Sequence, residues 1–149
     1  MNFTAKEDYG IRAVVDIALH RGDSPVQARE IAERQGIPEQ FLEQVLATLR
    51  RAGIIRSIRG AGGGYDLARG ACQIKVGEIL RTLSGPLVPI RCVGELDLDR
   101  CEQEGSCGVT DLWRRVKLAI SDVVDTTSVQ DIADRHGLHL DSQSFMMNI

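Results

Sequence analysis

A mainly α-helical chain with a small β-hairpin wing, a winged helix-turn-helix followed by a long dimerisation helix, is the fold this sequence predicts. Three observations predict it. Two short segments with apolar residues at helical spacing meet at Gly36-Ile37. Two β-rich runs flank Gly60-Ala61-Gly62-Gly63-Gly64. A seam of Val109, Leu112, Val116, Ala119 and Val123 then repeats by threes and fours, as in a coiled coil.

The first helix is expected over 5–20, with Ile11, Val14, Val15, Ala18 and Leu19 on its apolar face. Thr4 serves as N-cap, and Glu7 stands three residues on, as a capping box requires. His20 at the other end can meet the last carbonyls. After the turn Arg21-Gly22-Asp23-Ser24-Pro25, a short helix over 28–35 turns Ile31 and Ala32 inward and stops at Gly36. Pro38 opens the next helix, about 38–52, whose inner face carries Phe41, Leu42, Val45, Leu46 and Leu49. Glu39, Gln40, Glu43, Gln44 and Thr48 remain on its outer face.

Strands follow at 54–59 and 65–68, and a helix at about 76–83 closes the unit before Ser84-Gly85-Pro86 breaks it. Cys72, at the edge of the wing, reads as a small buried hydrophobe. Residues 86–108 lack periodicity, and a long helix then runs to about 126, with Trp113 expected in a dimer core. Ser128 caps a short last helix over 129–135, and 137–149 reads as a frayed tail. The division is therefore 1–84 winged helix-turn-helix, 85–108 cysteine-containing loop, 109–127 dimerisation helix, and 128–149 C-terminal helix and tail.

Charge points to a polyanionic partner. The chain of 149 residues has net charge −3, but residues 1–70 hold ten basic and nine acidic side chains, whereas 71–149 hold eight and twelve. No acid stands between Gln44 and Tyr65, while Arg50, Arg51, Arg56 and Arg59 all do. Such a local basic patch is the footprint of a nucleic-acid-binding element. Gln40, Glu43 and Gln44 are side chains that read base edges in a major groove. Arg59, beside the flexible turn beginning at Gly60, suits the negative potential of a narrow minor groove. Solvated polar faces on a plain three-helix unit are the alternative.

No run of about 18 apolar residues occurs, and the first residues lack the pattern of a secretory signal, so a cytoplasmic location is expected. No P-loop, HExxH or Ser/His/Asp set is present, which argues against an enzyme. In a reducing compartment, Cys92-x8-Cys101-x5-Cys107 points to metal binding or redox chemistry rather than to structural disulfides. Three thiolates in one loop could close around an iron–sulfur cluster with a fourth ligand from elsewhere. A thiol redox switch, a zinc site and three loop cysteines without a role remain open on these residues alone.

Gly36-Ile37, Phe41-Leu42-Glu43-Gln44, Leu49-Arg50, Gly53 and Arg59-Gly60-Ala61-Gly62-Gly63-Gly64-Tyr65 resemble the BadM/Rrf-two-type transcription regulators, the family of IscR, NsrR and RirA. The resemblance covers roughly residues 1–127. It implies a homodimer joined through helix 109–126 and double-stranded promoter DNA as partner. It further implies base reading by Gln40, Glu43 and Gln44, a minor-groove Arg59, and a cluster on Cys92, Cys101 and Cys107. Arg50, Arg51 and Gly60 complete the expected DNA-binding set.

Two features depart from the pattern. The first cysteine gap is longer than the x5 of IscR and NsrR, and Thr110 stands where IscR-like chains carry a histidine ligand. Asp8, followed by Arg12, matches the NsrR-like register for a ligand donated across the dimer, with Glu7 the neighbouring alternative. Either a two-iron or a four-iron cluster is compatible. The resemblance thus implies a repressor or activator that responds to iron, redox or nitric oxide status. The alternative is a metal-free regulator of the same fold, responsive to thiol redox or a small molecule.

Overall fold

The structure is a computed structural model, and it describes residues 1–94 and 106–147. Helix α1 (Ala5–His20) starts as its sequence dictates. Glu7 Oε2 accepts from the Thr4 backbone N–H at 2.7 Å, and the Thr4 hydroxyl caps the first turn. At the other end His20 Nδ1 lies 2.9 Å from the Asp16 carbonyl. Ala13, Val14 and Ile17 are fully buried and form the centre of the core.

Helix α2 (Ala28–Gln35) ends at Gly36, which takes the left-handed conformation (φ 63°) that a C-cap glycine supplies. Helix α3 (Glu39–Arg51) follows at once. Its inner stripe of Leu42, Val45, Leu46 and Leu49 is buried against α1 and α4. Each such side chain stabilises the fold by about 1.5–3 kcal/mol of transfer free energy. The order helix, turn, helix is thus held by the stripe that the sequence pattern marks.

The link from α1 to α2 is ionic. Asp16 is fully buried. It accepts from Arg34 Nη2 at 2.7 Å and Nε at 3.0 Å, and from Gln35 Nε2 at 2.9 Å. Arg34 responds in kind: its hydrogen bonds to Asp16 raise its pKa, against the opposing effect of burial.

The wing is the antiparallel pair β1 (Ile55–Ile58) and β2 (Gly64–Leu67), with Arg56 opposite Asp66. Val26 adds one bridge on the free edge of β2, exchanging hydrogen bonds of 2.9 and 2.7 Å with Tyr65. Gly64 makes that approach possible, since a Cβ there would meet the Val26 carbonyl oxygen at 2.5 Å. A 3-10 turn, Ala71–Gln73, leads to α4 (Val76–Ser84). Cys72 is exposed in this turn, contrary to the buried role expected, because Ala71 takes the inward position.

After a second 3-10 turn, Arg91–Val93, the long helix α5 (Gly108–Thr126) crosses α4. Arg81 of α4 makes a two-pronged pair with Asp125, at 2.5 and 2.9 Å. Gly77 permits the crossing, because any Cβ there would overlap the Asp125 carboxylate. Helix α6 runs Val129–Met147, much further than the short helix and frayed tail expected. Its start is as foreseen: Ser128 and Asp131 exchange bonds of 2.8 and 3.1 Å. Its length reflects the lack of any strong stop, since Gly137 alone costs only about 1 kcal/mol and no proline follows. Among the described residues no helix is long and apolar enough to cross a membrane.

Asp16→Asn removes the charge that holds Arg34 and Gln35. It is expected to destabilise the chain by about 2 kcal/mol in equilibrium urea unfolding. A variant matching wild type within a few tenths of a kcal/mol would show that α2 does not depend on this link.

Candidate nucleic-acid interface and cysteine site

On α3, Gln40, Glu43 and Gln44 are all exposed, one turn apart on the face opposite the buried stripe. Arg50 and Arg51 are exposed in the last turn, and Arg59 and Gly60 are exposed at the wing tip. The positive φ of Gly60 (114°) favours glycine at that turn. Among the described residues the guanidinium groups of Arg50 and Arg59 have no hydrogen-bond or ion-pair partner. Most other arginines of residues 1–70 are committed: Arg12 to Asp8, Arg29 to Glu33, Arg34 to Asp16, Arg56 to Asp66, Arg69 to Glu78. The unpaired guanidinium groups therefore coincide with the expected reading surface.

Asp66 is a residue that sequence reasoning does not single out. It accepts from Arg56 Nη2 at 3.0 Å and from the Leu67 N–H at 2.8 Å, and lies 3.5 Å from Arg21 Nε. It thus ties both wing strands to the end of α1. Burial pushes its carboxyl up, but the bonds from Arg56 and Leu67 and the charge of Arg21 outweigh that and hold it below its ordinary value. Register is the signal that could have found it, because a hairpin closed over 59–63 sets Arg56 against Asp66.

The cysteine site is only partly within the described residues. Cys92 is half-buried in the 3-10 turn after α4, and Cys107 is the N-cap of α5. Cys101 and the acids Glu95, Asp97, Asp99, Glu102 and Glu104 lie outside the described residues. Backbone N–H groups of Val109 and Thr110, with the Thr110 hydroxyl, lower the Cys107 thiol pKa against a small opposing effect of burial. Lys117 Nζ donates to the Val93 carbonyl at 3.1 Å, which fastens the Cys92 turn to α5. Among the described residues no three His, Cys, Asp or Glu side chains stand together as a metal-binding group.

The two carboxylates at the start of α1 differ sharply. Glu7 is buried, with Oε1 bonded by the Ser84 hydroxyl and Oε2 by Thr4. Burial pushes this carboxyl up, but the Ser84 and Thr4 bonds prevail and hold it at about 2. Asp8 is exposed and pairs with Arg12 at 2.7 Å.

Helix α5 carries two faces. Val124 is buried toward α4, Thr110 is buried near the start of the helix, and Lys117, between them in the chain, is half-buried. The predicted seam lies beside that face: Val109, Leu112, Ala119 and Val123 are exposed and Val116 is half-buried. Trp113 and Ile120, both half-buried, stand at the border between the two.

Residues 3–135 match the Rrf2 family, described as iron-dependent transcriptional regulators. The chain belongs to the Rrf2 family. It is 34% identical to the HTH-type transcriptional regulator IscR of Vibrio cholerae over 149 residues, covering 94% of this chain and 84% of that protein. Its fold is similar to that of CymR, the global cysteine regulator of Bacillus subtilis: 33% identity, TM-score 0.77, covering 91% and 98% of the two chains. It is also similar to the IscR structure from T. potens: 38% identity, TM-score 0.72, covering 91% and 88%. These relatives are transcriptional regulators rather than enzymes, and this Rrf2 chain is a DNA-binding winged-helix transcription regulator of the IscR/CymR type.

In this Rrf2 wing, the lowered pKa of Asp66 sets a pH dependence. Stabilisation from Asp66 is present above its unfolded pKa of about 3.9 and is lost as pH falls through the lower folded value. Asp66→Asn is expected to melt lower at neutral pH and to lose less stability on acidification. Parallel acid profiles for wild type and variant would rule out the clamp.

Proposed function

We propose that this chain is a homodimeric transcription regulator whose DNA affinity is set by an iron–sulfur cluster on Cys92, Cys101 and Cys107. The observation that carries the reading is the placement of two of the three thiols around α5. Cys107 caps that helix and Cys92 sits in a turn fastened to it by Lys117. The acidified thiol of Cys107 suits a thiolate ligand. The family's description as iron-dependent regulators points the same way.

A cluster bound there would supply a group that oxidants, nitric oxide or iron loss can alter. The chain's own residues do the rest. Gln40, Glu43 and Gln44 read base edges in the major groove, Arg59 with Gly60 enters the minor groove, and Arg50 and Arg51 face phosphates. Asp8 of the partner subunit is the fitting fourth ligand. It is exposed, whereas Glu7 has both oxygens engaged inside its own chain. Arg12 orients Asp8 through their pair. The cytoplasm is where such a regulator meets promoter DNA.

The exposed apolar seam of α5 supports the dimer, since exposed apolar stripes on one helix face mark a surface that another copy covers. The proposed units are the winged helix-turn-helix over 1–84, the cysteine loop over 85–108, the dimerisation helix over 109–127 and the C-terminal helix beyond. Val123→Asp is expected to shift the protein from dimer to monomer in sedimentation at micromolar concentration while helical circular dichroism persists. A dimer of unchanged affinity would place the interface elsewhere.

A thiol-based reading stands second. It is favoured by the acidified Cys107 and by the likeness to a global cysteine regulator. Anaerobic purification separates the two. The cluster reading expects coloured protein with iron and sulfide, loss of colour in Cys92→Ser, Cys101→Ser and Cys107→Ser, and different DNA affinity for loaded and stripped protein. Colourless protein whose DNA affinity changes on thiol oxidation supports the second reading and overturns the first.

A further inference from the structure

We propose that the groove between the start of α1 and the C-terminal half of α3 takes a phosphate of the DNA backbone, held by Lys6 and Arg51. This rests on the DNA-binding reading and adds to it a contact outside the base-reading set. A cavity of about 370 Å³ opens here, lined among others by Lys6, Phe41, Gln44, Thr48 and Arg51. Gln44, Thr48 and Arg51 follow one another at steps of four and three, so the groove continues the outward stripe that Gln40 and Gln44 begin. The groove is thus continuous with the surface that faces the double helix.

The charges are complementary to a phosphate. Lys6 Nζ donates to the Leu83 carbonyl at 2.7 Å. An ammonium has three N–H donors, so two remain for an anion. The carbonyl holds the ammonium at the groove wall, which reduces the entropy cost of ordering a long side chain. Arg51 Nη2 lies 3.4 Å from the Thr48 hydroxyl, which itself donates to the Gln44 carbonyl at 3.0 Å. No acid lines the groove. The acids beside Lys6 in sequence are committed elsewhere, Glu7 to Thr4 and Ser84, Asp8 to Arg12.

A phosphate contact leaves a signature that a base contact does not. It weakens all sequences alike and lowers the salt dependence of binding by about 0.9 in the slope of log K against log salt per phosphate lost. The test uses the full chain, a duplex enriched by the wild-type protein from a random library, and a mixed-sequence duplex, titrated by anisotropy over a range of KCl. Lys6→Gln and Arg51→Gln are each expected to weaken both duplexes by a similar factor and to flatten the slope by about 0.9 per engaged protomer, with Lys6→Arg restoring it. Unchanged slopes in both glutamine variants, or a loss confined to the enriched duplex, would overturn the assignment. Arg51 is exposed and distant from the core, so its variant keeps the test open should Lys6→Gln melt early. Wild-type protein that binds neither duplex sinks the DNA-binding reading itself, an outcome distinct from loss of the groove alone.

Discussion

The buried carboxylate of Asp16 is the constraint on which the reading head depends. A charge with no exposure is tolerable only when its lone pairs are filled, and here Arg34 and Gln35 fill them from α2. Apolar packing alone would let a helix of eight residues slide or rotate, since burial is proportional to area and not directional. The fork of Arg34 on Asp16 has one geometry. It therefore sets the angle of α2 on α1, and Gly36 passes that angle directly to α3. The arginine lies close to the limit of exposure at which an ion pair becomes weak, with a third of its side chain in solvent. Loss of Arg34, rather than of Asp16, is the change that strands a fully buried charge, since Asp16 has no exposure whereas Arg34 can turn to solvent.

The distribution of paired and unpaired charge gives the surface its direction. Several acids in the first half of the chain are engaged in caps and clamps: Glu7 at the start of α1, Asp16 beneath α2, Asp66 at the wing base. Among the described residues the unpaired guanidinium groups of Arg50 and Arg59 lie on α3 and on the wing tip. A chain of net charge −3 can therefore present a basic face to a polyanion, because local placement rather than the sum governs the field near the surface. Helix α5 shows the same economy with apolar groups. Its inner face covers α4, and an adjoining stripe of Val109, Leu112, Ala119 and Val123 stays uncovered within one chain.

What the sequence made legible was local. Thr4 with Glu7, Gly36 and Ser128 with Asp131 are caps whose partners lie within a few residues, and each terminates or starts its helix as read. The alternation at 54–59 and the glycines of 60–64 define the wing in the same way. Four features were not legible, and two of them depend on distance in the chain. Asp16 finds Arg34 eighteen residues away, and Glu7 finds Ser84 seventy-seven away. Neither separation leaves a periodic trace. Cys72 is exposed because Ala71 won the inward position of a 3-10 turn, a choice that composition cannot make. Helix α6 outran its expected end because continuation of a helix needs no signal of its own. Of the cysteine site, the residue types were legible, whereas Cys101 lies outside the described residues.

The end of α4 is where the two halves of the molecule meet, and its contacts show how the cysteine loop could bear on DNA. Leu83 packs so closely on Gly10 of α1 that no Cβ fits there, and that same Cβ would touch Val45 of α3. Its carbonyl holds Lys6, and the next residue, Ser84, holds Glu7. The chain then turns at Gly85 and reaches Cys92 within a few residues. On the other side, Arg81 fixes α4 to α5 through Asp125, and Lys117 fixes α5 to the Cys92 turn through Val93. A change at Cys92 or Cys107 that moved the start of α5 would therefore load α4 at two points. Close-packed contacts transmit such a displacement instead of absorbing it. In the proposed dimer the displacement acts on both α3 helices at once, so a small rotation at each α4 end becomes a change in the spacing of the two reading heads. That spacing must match the turn of the double helix for both to engage.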